Sequence, residues 1–150
     1  MTIRPVNQRD ADAWAALRSR LWPRADAAAL AGETQGFFAG ASNSILAAAF
    51  VAEGDDHVPI AFIELALRAF SDGCDSMPVP HVEGWYVEPF ARGRGVGPAL
   101  MEAAETWARS HGFTEIASDS EIDNRASLLA HEAAGFEEVE RLVKFRKRLD

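Results

Sequence analysis

Residues 92–98 read RGRGVGP and combine two arginines, three glycines and a proline. Glycine tolerates positive φ and lets backbone approach a ligand closely. If a helix begins where this segment ends, its first N–H groups and its dipole point into the loop and favour an anion there. The predicted phosphate cradle comprises Arg92, Gly93, Arg94, Gly95, Val96 and Gly97. A tight strand-to-helix turn with solvated arginines remains the alternative.

The segment matches neither common nucleotide-binding pattern. No Gly-Lys-Ser/Thr follows it, and Ala99 and Leu100 break the G-x-G-x-x-G spacing. Pro98 suits the first position of a helix, where its missing N–H would have no partner in any case. The arginine side chains would add charge-assisted hydrogen bonds to a pyrophosphate. The pattern therefore predicts an anion site of another kind.

A second group of residues able to do chemistry consists of carboxylates around the same part of the chain. Carboxylates can bind cationic groups and accept protons. Each one alone is common in a solvated loop, and Asp123 in particular could simply cap a helix. Their predicted convergence at one end of a sheet favours a cationic substrate. The candidates are Asp72, Asp75, Glu83, Asp119, Glu121 and Asp123.

These residues must be positioned by alternating strands and helices. Apolar spacing predicts a helix that ends at Trp22-Pro23, a second at about 26–38, a third from Pro98 to His111-Gly112, and a fourth closed by Gly135. The strands are predicted at 2–6, 44–53, 59–70, 81–89 and 113–120, with one or two more in 136–149. This order predicts an α/β (α+β) fold with a mixed central sheet, antiparallel in its first half and parallel in its second.

Length and composition limit the possible functions. A chain of 150 residues fits a single domain, 1–150, with one sizeable core. A formal charge of −8 argues against non-specific nucleic-acid binding and favours cationic partners. Cys74 is the only cysteine, so no intrachain disulfide is expected and a metal site is not expected either. No signal peptide or membrane span is predicted, which makes the cytoplasm the expected location.

The segment 92–97 resembles the R/Q-x-x-G-x-G/A signature of the GNAT superfamily of acetyl-CoA-dependent N-acetyltransferases. The preceding strand, HVEGWYVEP, and the later segment DNRASLLAHEAAGFEEVE resemble its other motifs. The resemblance implies that acetyl-CoA is the co-substrate and that the loop amides hold its pyrophosphate. It also implies that the strand containing Trp85, Tyr86 and Val87 separates from its neighbour to pair with the pantetheine arm, and that the helix near Asn124 flanks the thioester.

A closer resemblance, to aminoglycoside 6′-N-acetyltransferases, extends over nearly the whole chain. It rests on RSRLWP at 18–23, GCDS at 73–76, VEG at 82–84, ASD at 117–119, GFEEVER at 135–141 and FRKR at 145–148. It implies direct acetyl transfer in a ternary complex and a homodimer to which the C-terminal strands contribute. The basic segment 141–148 could instead contact the 3′-phosphate of CoA or protect an edge strand.

The resemblance also implies roles for individual acceptor-site residues. Glu83 and Asp119 match acidic positions that face the aminoglycoside, and Trp22 matches an aromatic that lies against it; a buried helix-end tryptophan is the alternative for Trp22. Phe70 stands where relatives carry tyrosine. Asp72 and Asp75 would add negative charge beside the substrate.

For the chemistry, Glu83 is the first candidate base, directly or through water, and Asp119 is the alternative. Backbone N–H groups around Val87 would stabilise the oxyanion. His131 occupies the place where many superfamily members carry a tyrosine near the CoA sulfur, so it is a candidate acid; a histidine at the edge of the core is the alternative. Tyr86, the single tyrosine, is one residue away from the face of Glu83 if the strand alternates regularly.

Two other functions remain open from the sequence. One is acetylation of a different amine, such as a polyamine, a metabolite or a protein N-terminus. The other is an acetyl-CoA-binding module without catalytic activity, which the missing tyrosine would permit.

Overall fold

The apolar, β-branched and aromatic runs on either side of the GDDHV turn form the two central strands of a five-stranded sheet. The computed structural model describes residues 1–41 and 44–150. The strands are β1 Thr2–Pro5, β2 Leu46–Glu53, β3 Pro59–Arg68, β4 Val79–Val87 and β5 Ala117–Ser118. The helices are α1 Ala11–Leu21, α2 Ala27–Ala39, α3 Val96–Ser110 and α4 Arg125–Ala133.

The strands lie in the sheet in the order in which they occur along the chain. Neighbours from β1 to β4 pair antiparallel, and β4 pairs parallel with β5 after the crossover through α3. The predicted mixed sheet, antiparallel first and parallel at its end, is therefore confirmed.

The two faces of the sheet carry separate apolar clusters because successive strand residues point to opposite sides. On one face, Ile63 and Leu65 pack with Leu100 of α3. On the other face, Phe62 packs with Trp14 of α1. Burial of each such side chain contributes about 1.5–3 kcal/mol relative to exposure. The helices thus cover both faces of β3, the neighbour of the strand that leads into the cradle.

One buried ion pair joins α1 to the sheet. Glu64 of β3 is fully buried and accepts hydrogen bonds from Trp14 Nε1 at 3.0 Å and Arg18 Nε at 3.0 Å. Arg18 also pairs with Glu33 of α2 at 2.6 Å. A buried carboxylate needs such partners, because its loss of hydration is otherwise uncompensated.

Three predictions from the sequence need correction. No residue of 137–150 is in a helix or strand, so the predicted C-terminal strands are wrong for the single chain, since a strand forms only against another strand. β5 is two residues long, much shorter than 113–120. Helix α3 begins at Val96, so Pro98 occupies the third helical position, where an N–H would also lack a helical partner.

No helix in residues 1–41 and 44–150 combines the length and the apolar character that crossing a bilayer requires.

Candidate functional site

The predicted cradle is a sharp turn that opens onto the N-terminus of α3. Gly93 and Gly95 have φ of 74° and 81°, and Gly95 is the N-cap residue of the helix. The bond from Ala99 N to Gly95 O closes the first turn, so the N–H groups of Val96 and Gly97 have no partner within the helix. These groups and the helix dipole make the turn suitable for an anion.

The two arginines of the cradle differ in their surroundings. Arg92 Nε donates a hydrogen bond to Val87 O at 2.8 Å, and its guanidinium lies 5.5 Å from the centre of the Tyr86 ring. Arg94 is exposed. Arg92 is therefore fixed against the end of β4, while Arg94 extends from the turn.

Trp85 connects β4 to the beginning of α3. Its Nε1 donates to Gly97 O at 3.1 Å, and the ring packs on the α3 side of the sheet. The indole thus holds the cradle in place, so the predicted cofactor contact of Trp85 would involve its backbone rather than its side chain.

Strands β4 and β5 separate beside these residues. Their pairing covers only His81 with Ala117 and Val82 with Ser118, whereas β4 continues to Val87. Glu88 N donates to Ile60 O at 3.0 Å on the β3 side. Because strand amides alternate in direction, the N–H groups of Trp85 and Val87 point to the open side. An extended ligand could pair there.

A β-bulge places Glu83 in this region. Gly84 pairs with Glu64 and Val82 pairs with Leu65, so Glu83 is an extra residue in β4. Such a bulge turns two successive side chains toward one face. His81, Glu83 and Gly84 therefore share the α1 side of the sheet, as does Tyr86, which packs near Phe62. The prediction that Tyr86 lies off the face of Glu83 is wrong because it assumed regular alternation.

Glu83 is held in its charged form by its neighbours. Arg68 donates to its two oxygens at 2.8 and 3.0 Å, and His81 Nδ1 lies 3.5 Å from Oε1. Burial raises the pKa of Glu83, but His81 and Arg68 together lower it more, to about 2. The His81 contact is long for a hydrogen bond and lacks suitable geometry, so the two hydrogen bonds from Arg68 are the firmer hold on Glu83.

Asp119 lies on the other side of the same histidine. It follows β5 directly, its side chain is 69% exposed, and Oδ2 is 3.6 Å from His81 Nε2. The structure thus brings Glu83 and Asp119 together around His81. No hydrogen bond or ion pair in the described ranges joins Asp72 or Asp75 to them.

The loop after β3 contains the remaining acceptor-site candidates. Phe70, Asp72 and Asp75 are exposed. The backbone N–H of Asp75 donates to Glu115 Oε1 at 2.9 Å, and Ser76 donates to the same oxygen through its N–H and its hydroxyl, each at 2.6 Å. Glu115 therefore anchors the loop near the strand that leads to Asp119.

Trp22 lies directly on Gly84. A Cβ added to Gly84 would be 2.9 Å from the rings of Trp22 and Phe62, so only glycine permits this contact without displacement. Arg18 lies 5.1 Å from the centre of the Trp22 ring. Trp22 is only partly buried and borders a hollow of about 510 Å³ that Leu21–Ala25 line. It packs on the sheet but is not fully buried, and its contact with an aminoglycoside stays a prediction.

Asn124 and His131 hold α4 beside β5. The Asn124 side chain accepts from Ser127 N at 3.1 Å and is the N-cap, so Asp123 is not. His131 Nδ1 donates to Ser127 O at 2.7 Å, and Nε2 lies 2.7 Å from Ser118 Oγ. Its ring meets Trp85 edge-on, with centroids 5.5 Å apart. Both ring nitrogens are engaged, as expected of a histidine at the core edge.

Arg68 and His81 were not among the site residues predicted from the sequence. Their signals were present: His81 is two residues before Glu83 and hence on its face, and Arg68 ends the strand that pairs with β4. No group of three or more His, Cys, Asp or Glu side chains suited to a metal ion occurs within 1–41 and 44–150.

Comparison with known proteins gives consistent matches over the whole chain. The profile of the acetyltransferase (GNAT) family matches residues 11–136. An aminoglycoside N(6′)-acetyltransferase type 1 from Klebsiella aerogenes is 43% identical over 147 residues, which cover 98% of this chain and 96% of the relative. One from Stenotrophomonas maltophilia is 43% identical over 150 residues, covering 99% of this chain and 94% of the relative.

Solved structures agree with these matches. AAC(6′)-Iy in complex with the bisubstrate analogue CoA-S-monomethyl-acetylneamine superposes with a TM-score of 0.88 at 36% identity, covering 99% of this chain and 98% of that one. Apo AAC(6′)-IG from Acinetobacter haemolyticus gives a TM-score of 0.87 at 34% identity, with full coverage of both chains.

Proposed function

The chain belongs to the acetyltransferase (GNAT) family, and on this premise we propose that it transfers acetyl from acetyl-CoA to the 6′-amino group of aminoglycoside antibiotics. The observation that carries the proposal is the position of two carboxylates, Glu83 and Asp119, beside the open edge of β4. Identities of 43% to aminoglycoside N(6′)-acetyltransferases support the choice of acceptor.

Acetyl-CoA would bind along β4 and into the cradle. The N–H groups of Val96 and Gly97 would receive its pyrophosphate, with Arg92 and Arg94 adding charge. The pantetheine arm would take the place of a strand beside Trp85 and Val87, where β5 has ended. The thioester would then lie close to Glu83, at the point where the strands diverge.

The aminoglycoside would bind on the α1 side of the sheet. Glu83 and Asp119 would pair with its ammonium groups, and the open side of Trp22 would contact a sugar ring or ammonium, a contact worth about 0.5–1 kcal/mol when exposed. Phe70 offers an apolar surface without a hydroxyl, and Asp72 and Asp75 would add longer-range attraction.

The reaction joins the acceptor nitrogen to the thioester carbon and breaks the carbon–sulfur bond. The amine must first lose a proton, and Glu83 is the proposed acceptor, directly or through water. With a pKa near 2 while Arg68 holds it, Glu83 is a weak base. We therefore propose that the incoming ammonium competes with Arg68 for this carboxylate.

The other steps need little from the side chains. The Val87 N–H would stabilise the tetrahedral oxyanion, as donors aimed at developing charge do. The thiolate of CoA can leave without an acid and then take up the second proton, which the acceptor nitrogen releases as the amide forms. His131 remains the candidate acid, although proton transfer from it would have to proceed through the hydroxyl of Ser118 or Ser127.

A thiol-release assay with acetyl-CoA tests the proposal. Kanamycin and tobramycin should release free CoA, whereas a matched aminoglycoside with a hydroxyl at the 6′ position should release none; product NMR should place the acetyl group on the 6′ nitrogen. Faster turnover of spermidine than of any antibiotic would indicate another amine. Tight CoA binding without turnover of any amine would indicate a binding module.

We also propose a cytoplasmic homodimer. An intracellular location would give access to acetyl-CoA. The exposed edge of β5 and the apolar residues of 137–150, all of which are exposed, support pairing with a second copy.

A further inference from the structure

His81 is a buried histidine whose hydrogen bonding is incomplete. It is 2% exposed, and Nδ1 has no hydrogen-bond partner among residues 1–41 and 44–150. A polar atom buried without a partner is destabilising, because its lost hydration is not compensated. Such an atom in a native fold requires an explanation, and a role in binding or catalysis is one.

The two ring nitrogens face the two acceptor-site carboxylates. Nδ1 lies 3.5 Å from Glu83 Oε1, and Nε2 lies 3.6 Å from Asp119 Oδ2. A neutral imidazole carries one N–H and can donate to only one of them, whereas the imidazolium can donate to both. Small movements of either carboxylate would convert these contacts into hydrogen bonds.

We propose that His81 is a positioning residue that links Glu83 and Asp119 into one acceptor-binding unit, and that the protonation of its imidazole sets the charge of that unit. The proposal deepens the proposed function and rests on it for the identity of the acceptor. The link between the three side chains itself does not depend on turnover.

The charges facing His81 come from three elements. Arg68 of β3 pairs with Glu83 of β4, and Asp119 follows β5. Other charges on this face form pairs of their own: Arg18 of α1 with Glu64 of β3 and Glu33 of α2, and Arg20 of α1 with Glu88. With a neutral imidazole, the group of Arg68, His81, Glu83 and Asp119 has one net negative charge; with the imidazolium it has none.

This difference changes the affinity for a polycation. Acceptor ammonium groups compete with the His81 proton for the same two carboxylates, so acceptor binding favours the neutral imidazole. By linkage, protonation of the imidazole weakens acceptor binding through this residue. CoA binds through the cradle at the other end of β4 and is insensitive to it.

The first experiment measures the KM for kanamycin and for acetyl-CoA from pH 5.5 to 8.5. On acidification, the kanamycin KM of the wild type should rise about five- to tenfold more than that of His81→Gln or His81→Phe. The KM for acetyl-CoA should show no such difference between the wild type and the variants. His57→Asn is the matched control: His57 also faces a carboxylate, Glu53 at 3.3 Å, but at the β2–β3 turn. Identical pH profiles in the wild type and both His81 variants would overturn the proposal.

The second experiment follows the His81 ring signals by NMR in the unliganded protein. Asp119→Asn should make His81 lose its proton at lower pH, because one of its two flanking negative charges is gone. Kanamycin bound to the wild type should also make His81 lose its proton at lower pH. An unchanged His81 titration in Asp119→Asn would refute the link. If the link is present but no aminoglycoside is acetylated, only the proposed function fails.

Discussion

The φ of 81° at Gly95 is a conformation that a residue with a Cβ rarely adopts, and this turn aims the first amides of α3 at the proposed pyrophosphate. Gly95→Asp should therefore lose stability by about 1–2 kcal/mol and also place a negative charge in the cradle. We expect the dissociation constant for CoA to rise at least about tenfold by calorimetry.

Gly112 provides the control for this substitution. It has φ of 82° and no neighbour within 4 Å of an added Cβ, but it lies beyond the opposite end of α3. Gly112→Asp should lose similar stability and keep its CoA affinity. Equal weakening of CoA binding in both variants would show that the cradle is not the site.

The Arg68–Glu83 pair predicts an acid-dependent stability. The pKa of Glu83 falls from its ordinary 4.5 to about 2 in the folded chain, so the stabilisation is complete above 4.5 and is lost as the pH falls toward 2. Glu83→Gln lacks this contribution. The stability difference between the wild type and the variant should therefore shrink from pH 6 to pH 3 in urea unfolding series.

Glu102→Gln, at an exposed position on α3, serves as the matched control for that series. Its difference from the wild type should stay nearly constant over the same range. A constant difference for Glu83→Gln as well would mean that Arg68 does not hold this carboxylate in solution.

At the scale of elements, the end of α1 is fitted against the bulge of β4 through Gly84. Gly84→Ala would push a methyl group into Trp22 and Phe62, each 2.9 Å from the added Cβ. We expect a loss of about 1–3 kcal/mol, as in other overpacked sites. Because Trp22 would move, the aminoglycoside KM should rise severalfold while CoA affinity is retained.

Gly32→Ala in α2 is the control, since an added Cβ there meets nothing within 4 Å. It should stabilise the protein by about 0.5–1 kcal/mol, the helix preference of alanine over glycine. If Gly84→Ala is as stable as the wild type and binds the acceptor equally well, the contact between Trp22 and β4 has no role in the site.

The sequence predicts elements whose signals are local. The spacing of Trp14, Leu17 and Leu21 predicts α1, which ends before Pro23. Asp26 caps α2, because its side chain accepts a hydrogen bond from Ala29 N. The bulge at Glu83 was not predictable, because it depends on how β4 registers with β3. The contact of Arg68 with Glu83 depends on the same register, and the contact of His81 with Asp119 depends on how β5 lies beside β4. Only the two-residue spacing of His81 and Glu83 is visible in the sequence. The carboxylate positions came from the resemblance and not from periodicity.

At the scale of the whole molecule, the sheet ends in the short strand β5, and the C-terminal segment 137–150 pairs with no strand among residues 1–41 and 44–150. Val143, Phe145 and Leu149 are 76%, 93% and 85% exposed. Val139 lies where a Cβ of Gly73 would be, which directs the segment across the loop after β3. The edge of β5 can pair with a further strand, and the alternating apolar segment 137–150 can form one. In a dimer, the segment of each copy would pair with the sheet edge of the other.

The proposed homodimer therefore predicts a mass near twice 16.3 kDa by light scattering at micromolar concentration. Phe145→Asp should shift the protein toward the monomer, because a charge on an apolar interface residue opposes its burial. Val58→Asp, at a 48% exposed position in the β2–β3 turn, should stay dimeric. A monomeric wild type, or a Phe145→Asp variant as dimeric as Val58→Asp, would contradict pairing through the C-terminal segment. Since that segment passes the loop containing Asp72 and Asp75, the monomeric variant should also show a higher aminoglycoside KM than Val58→Asp.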